Sequence, residues 1–201
     1  MIGRHFRSAM PWPALAIALA LVAGCGTTTP SRFYTLSATA PPTAARSTLQ
    51  VAVGPVTVPA VVDRPEFVVS NGRNEVRLDE FNRWAAPLQD SLSSVVAENL
   101  AAILGTPQVV RFPQALATDP DYRVVVEVRS FESISGTGTA LDAVWTIRRA
   151  KDGKSSTGRT SAREAVAQGG YDALAAAHSR SVARLSQDIA DALGVLERSP
   201  R

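Results

Sequence analysis

Between Tyr122 and Arg129 the chain alternates: Tyr122, Val124, Val126 and Val128 are apolar, while Arg123, Glu127 and Arg129 stand at intervening positions. A period of two places the first set on one face of a strand and the second on the other. Leu141, Ala143, Trp145 and Ile147 repeat the pattern, and Gly158 to Val166, after the turn Lys151-Asp152-Gly153-Lys154, predicts a third strand. Elsewhere the period lengthens. Leu88, Leu92, Val95, Val96, Leu100 and Ile103 recur at three and four behind Pro87, and Gly105 with Pro107 stops that helix. Tyr171, Leu174, His178, Val182, Leu185, Ile189 and Leu193 mark a second helix, with many alanines beside them.

The remaining segments are shorter. "RFYTLS" (32–37) alternates as a strand, and Leu49 to Pro59 is β-branched with a bulge or bend expected at Gly54-Pro55. Phe67 to Leu78 carries turn chemistry at Ser70-Asn71-Gly72 between two strands, a hairpin signal. Ala38 to Thr48 predicts a loop, and "QVVRF" (108–112) a short strand. The order β-β-hairpin-α-β-β-β-β-α predicts one α+β domain, an antiparallel sheet with two long helices packed on one face.

The N-terminus fits neither period. Arg4, His5 and Arg7 precede an apolar run from Ala14 to Ala23. Ten residues rise about 15 Å as a helix, half of a roughly 30 Å hydrocarbon core, so a signal peptide is expected rather than a permanent anchor. The run ends at Val22-Ala23-Gly24-Cys25, which holds the only cysteine of the 201 residues. That junction resembles the bacterial lipobox, an aliphatic residue and two small ones before an obligatory cysteine. The resemblance implies cleavage between Gly24 and Cys25, a diacylglycerol on the Cys25 thiol, and usually an acyl group on the new amine. A thiolate is nucleophilic enough to take the lipid. At about 0.8 kcal/mol per buried CH₂, two or three long chains anchor a protein essentially irreversibly. Residues 1–24 are thus expected to be signal peptide, 25–32 a lipidated tether and 33–197 the domain. The seven residues Gly26 to Arg32 reach at most about 25 Å. Gly26 stands where an Asp would retain a lipoprotein at the inner membrane under the enterobacterial sorting rule, which favours the outer membrane.

Composition narrows the chemistry. With 45% apolar and 19% charged residues the chain is globular in make-up, and one cysteine excludes an internal disulfide framework or a multi-thiolate metal site. The formal charge is +3, and Arg4 and Arg7 leave with the signal, so +1 remains and no basic stripe for nucleic acid is expected. Loss of His5 leaves His178 as the sole imidazole, on the apolar side of the last helix, where a packed, hydrogen-bonded histidine is expected. There is no G-x-S-x-G elbow, no Walker sequence and no His/Cys set for zinc. "DEFNR" and "TDPDY" lack EF-hand spacing, and Asp119 and Asp121 are expected to shape a turn through Pro120. "SGTGTAL" has Leu141 where the third glycine of a dinucleotide fingerprint belongs, so a hairpin loop is expected there. Trp84, Phe81 and Trp145 are expected in the core. The residues predict no enzyme, no cofactor and no metal.

The middle of the chain carries a resemblance of its own. "VAVGPVTVPAVVDRPEFVV" and "LDEFNRWAAPLQDSLSSVVAENLAAILG" resemble the ABC-type transport auxiliary lipoproteins of the PqiC/YmbA type. The matching features are Gly54-Pro55-Val56, the turn Asp63-Arg64-Pro65, Arg83-Trp84, Pro87-Leu88, Glu98-Asn99-Leu100 with its Leu104-Gly105 stop, and "RFYTL" soon after the cysteine. One departure is Ala86, where members often carry a carboxylate. The resemblance implies a periplasm-facing lipoprotein that docks an MCE-domain partner, anchored in the inner membrane, and its ABC transporter at the outer membrane. Such a component moves lipid between membranes and supports envelope integrity. A homo-oligomeric ring is one hypothesis it raises, since a tubular partner favours cyclic symmetry. A stand-alone lipid- or ligand-binding lipoprotein is the alternative.

Overall fold

The computed structural model describes residues 29–44, 46–113, 119–167 and 169–199, and its elements follow the expected order. They are β1 (Arg32–Tyr34), β2 (Val51–Thr57), β3 (Glu66–Ser70), β4 (Val76–Trp84), α1 (Leu88–Leu104), β5 (Val109–Arg111), β6 (Tyr122–Ile134), β7 (Gly138–Arg149), β8 (Ser155–Ala165) and α2 (Tyr171–Arg198). β6 is the spine of one eight-stranded sheet. β7 runs antiparallel along its full length, and β8 antiparallel along β7. On the other side, β2 lines the first half of β6, while β3 meets only its last two residues, Ser133 and Ile134. β4 pairs with β3, β1 with the end of β4, and β5 with β2.

The α+β class and the two long helices agree with the sequence, but the sheet is mixed rather than antiparallel. Four of its seven pairings, β1/β4, β2/β5, β2/β6 and β3/β6, are parallel. The chain between β2 and β5 includes the β3–β4 hairpin and α1, a crossover long enough to return the backbone in the same direction. Alternation of apolar residues records which face is buried, and strand direction leaves no mark on it.

Both helices cover the face of β6 that carries Tyr122, Val124, Val126 and Val128, all buried, while Arg123, Glu127 and Arg129 are exposed on the other. α1 packs on β2 and β5, α2 on β7 and β8, and the helices on each other. α1 ends as the sequence predicts: Gly105 is left-handed at φ 65°, and its N–H donates to the Ala101 carbonyl. Residues 38–44 and 46–48 are irregular, and the first of these stretches is strapped to α1. Thr39 and Ala40 donate their N–H groups to Asn99 Oδ1 at 3.0 and 2.9 Å, and Thr43 N–H donates to the Ala102 carbonyl at 3.0 Å.

Two glycines are required by their surroundings. At Gly54 the β2/β6 register shifts, confirming the expected bulge; φ is 135°, and a Cβ would stand 2.5 Å from the Phe112 carbonyl oxygen. Gly158 on β8 faces Trp145 on β7, and a Cβ there would come within 2.2 Å of the indole. The ring fills that slot, buried as expected, and its Nε1–H donates to Thr160 Oγ1 at 3.1 Å. Gly158→Val should therefore evict the indole and cost about 1–3 kcal/mol. A lower urea midpoint together with red-shifted tryptophan emission checks it.

Candidate functional site

The site begins with "RLDEFNRW" on β4. Asp79 Oδ1 accepts from the N–H groups of Phe81 (3.1 Å) and Asn82 (2.9 Å) and from Asn82 Nδ2 (2.9 Å). An aspartate that bonds backbone two and three residues on makes a local turn, and β4 bulges there, its register with β3 shifting between Glu66 and Phe67. Asp79 Oδ2 accepts from the Tyr171 hydroxyl on α2 at 2.5 Å, and Arg77 donates to that hydroxyl at 3.0 Å. The Tyr34 hydroxyl on β1 donates to Asn82 Oδ1 at 2.8 Å. Burial pushes Asp79 upward, but the hydrogen bonds from Tyr171 and Asn82 outweigh it and hold the carboxyl below its ordinary range. Burial and that same bond push Tyr171 up to about 12, so it remains a donor at neutral pH.

Beneath this network the rings form a continuous core. Phe67 stacks on Trp84 at 4.1 Å between centroids, Tyr34 and Tyr171 meet Phe67 edge-on, and Phe131 stacks on His178 at 3.9 Å. Trp84 is buried as the sequence predicts, but Phe81 is not: it is 42% exposed. Phe81, three residues before Trp84, lies on the opposite face as alternation dictates; the Asp79 turn brings Val76 and Leu78, an even number of residues from Trp84, onto that face too.

The motif residues meet at one place. Val62 and Asp63 donate their N–H groups to the Pro59 carbonyl, closing the turn at 60–62 that leads into Asp63-Arg64-Pro65. Arg64 N–H donates to the Val62 carbonyl at 2.9 Å and Trp84 N–H to the Pro65 carbonyl at 2.7 Å. Asp63, Arg64, Pro65, Trp84 and Pro87, with Ala85 and Ala86, line an open cleft of about 380 Å³. Arg83 stands beside it and pairs with Glu66 at 2.9 Å. Gly24 and Cys25, and with them the expected cleavage, lipidation and most of the tether, lie outside the described residues.

His178 is buried, and its Nε2 lies 2.8 Å from Ser133 Oγ, so the predicted packed histidine is present. Nδ1 finds no hydrogen-bond partner, and no carboxylate completes a triad. Ser133 is itself 2% exposed, closed off from substrate. Among the described residues, no group of three or more His, Cys, Asp or Glu could hold a metal, and no helix is long and apolar enough to cross a membrane. Arg149 and Asp79 are polar residues to which the sequence assigns no role, and Asn99 enters there only within the motif Glu98-Asn99-Leu100. Arg149, buried on β7, forks onto Asp152 at 3.0 and 2.6 Å and donates to the Leu196 carbonyl of α2 at 2.8 Å. Only the tertiary partners of the three distinguish them from surface charges and amides.

The described residues thus form a mixed sheet backed by two helices, with a polar network at one end. The chain belongs to the ABC-type transport auxiliary lipoprotein component family, whose sequence profile matches residues 34–190. That family is one of transport components, not of enzymes. Two solved structures share the fold. One, of an uncharacterized protein, superposes with a TM-score of 0.68 at 20% identity, covering 82% of this chain and 99% of its own. The other, from Xanthomonas campestris, gives 0.68 at 17% identity, covering 84% and 97%. No curated protein matches the sequence.

Burial pushes His178 down to about 3. The unfolded imidazole titrates near 6.5, so below that pH the unfolded chain takes a proton the folded chain refuses. The contribution of neutral His178 is complete above pH 6.5 and is lost as the pH falls toward 3. Between pH 7 and 5.5 the protein should lose about 1 kcal/mol of stability through this group. His178→Gln should flatten that slope in urea titrations run at both values.

Proposed function

We propose that the mature chain is a lipid-anchored docking component of an MCE/ABC-type intermembrane lipid transport system, held at the periplasmic face of the outer membrane. The observation that carries the reading is the family match over residues 34–190, immediately downstream of a lipobox ending at Cys25. Signal peptidase cuts between Gly24 and Cys25, the thiol takes its diacylglycerol, and Gly26 lets the product pass to the outer membrane. The tether keeps the domain within about 25 Å of its anchor. We read Asp63, Arg64, Pro65, Arg83, Trp84 and Pro87 as structural, framing the cleft, and assign the chain no reaction, because the Ser133–His178 pair is sealed in the core. The partner is an MCE-domain protein that reaches across the periplasm from its ABC transporter, and a ring of copies would match a tubular partner.

Mass analysis of the mature N-terminus should find an acylated Cys25, and Cys25→Ser should move the protein from the membrane to the soluble fraction. Pull-down of the lipidated chain from membranes should recover an MCE-domain protein with its ABC subunits, and Cys25→Ser should lower that yield tenfold or more. A free N-terminal thiol, or capture of neither partner, would overturn the reading.

A further inference from the structure

Phe33, Val76, Leu78 and Phe81 are four of the seven large apolar side chains left exposed among the described residues, and all four belong to the β1–β4 corner of the sheet. Register places them on one face. Phe33 lies opposite Arg83 across β1/β4, and Tyr34 and Asn82, the neighbours of Phe33 and Phe81, join the network with Asp79 and Tyr171 on the α2 side. Side chains alternate along a strand, so Phe33 and Phe81 lie on the face opposite Tyr34 and Asn82, as Val76 and Leu78 lie opposite Arg77 and Asp79. Phe33, on the edge strand, also borders an open cleft with Asp172 and Arg180 of α2. Phe33 is 64% exposed, the highest value among these seven. Scattered exposed apolar residues are ordinary, but a contiguous group with a polar rim marks an interaction surface. The polar neighbours on this face are Arg83, opposite Phe33 and paired with Glu66, and exposed Glu80 in the β4 bulge, both signs present.

The sequence says what lies within reach. Phe33 is eight residues from Cys25, a span of at most about 28 Å. We infer that this corner rests on the phospholipid bilayer that receives the Cys25 acyl chains, with Phe33 and Phe81 entering the headgroup boundary and the Arg83 stem lying along it. The inference rests on the lipid-anchor reading above. A short tether raises the effective concentration of bilayer at β1, so a patch too small to bind membrane unaided is held against it once the anchor is in place. Arginines and aromatic rings suit that boundary, where one end of the side chain is wet and the other apolar. The mixed-sign rim suits zwitterionic headgroups.

Full-length protein, matured and lipidated in a bacterial envelope, would be reconstituted in phosphatidylethanolamine–phosphatidylglycerol vesicles with and without acyl-chain-brominated lipid. The mature chain keeps Trp84 and Trp145, both buried, as a constant background. Phe33→Trp should add an emission at least twofold more quenched by brominated lipid than that background and shielded from aqueous iodide. Phe81→Trp, on a different strand, should respond likewise. If both variants float with the vesicles but their indoles are open to iodide and indifferent to bromine, the inference fails while the anchor stands. Shielding from iodide without bromine quenching means that protein covers the corner, and also overturns it. A chain that does not float overturns the anchor and this inference together.

Discussion

At Asp79 the backbone of β4 cannot run straight, because the carboxylate draws in the N–H groups of Phe81 and Asn82 while its other oxygen holds the Tyr171 hydroxyl. Hydrogen bonds to a charged group contribute about 1.5–3 kcal/mol each, roughly twice a neutral one. Asp79 places one such bond on α2, and through Asn82 it reaches Tyr34 on β1. The closing helix and the first strand are thereby fastened to the same turn. The aromatic core under that turn, Phe67 on Trp84 with Tyr34 and Tyr171 at the edges, follows from where these bonds place the rings.

The same turn divides the two faces of the corner. On the α2 side Asp79, Asn82, Tyr34 and Tyr171 bond one another above the packed rings. On the other side Phe81 joins Phe33, Val76 and Leu78 in contact with solvent. Beside the corner, the Arg64 N–H donates to the Val62 carbonyl and the Trp84 N–H to the Pro65 carbonyl, so backbone bonds hold the segment that lines the motif cleft.

Further from the corner, two polar residues play similar parts. Asn99, fully buried in α1, spends its carbonyl oxygen on the backbone of the loop that follows β1. Arg149 joins the β7–β8 turn to the C-terminal end of α2 through Asp152 and the Leu196 carbonyl. An unanswered buried charge costs far more than a lost surface contact, so each of these residues fixes the position of the element it binds. Loop and helix end are held by directed bonds where little apolar surface is available.

Periodicity together with glycine, proline and turn signals determined the identity and order of the elements, the bulge at Gly54, the stop at Gly105 and the burial of Trp84, Trp145 and His178, since each depends on neighbours within a few residues. The family was legible too, in short ordered motifs from "RFYTL" to Glu98-Asn99-Leu100. Strand direction was not, because alternation is the same in a parallel and an antiparallel pair. Nor was the exposure of Val76 and Leu78, which stand an even number of residues from buried Trp84 and reach the other face only through the bulge at Asp79. The convergence of Asp63, Arg64, Pro65, Trp84 and Pro87 on one cleft, and of Phe33 with Phe81 on one face, was decided by strand pairing. Contacts between residues far apart in the chain exist only once the whole sheet has closed.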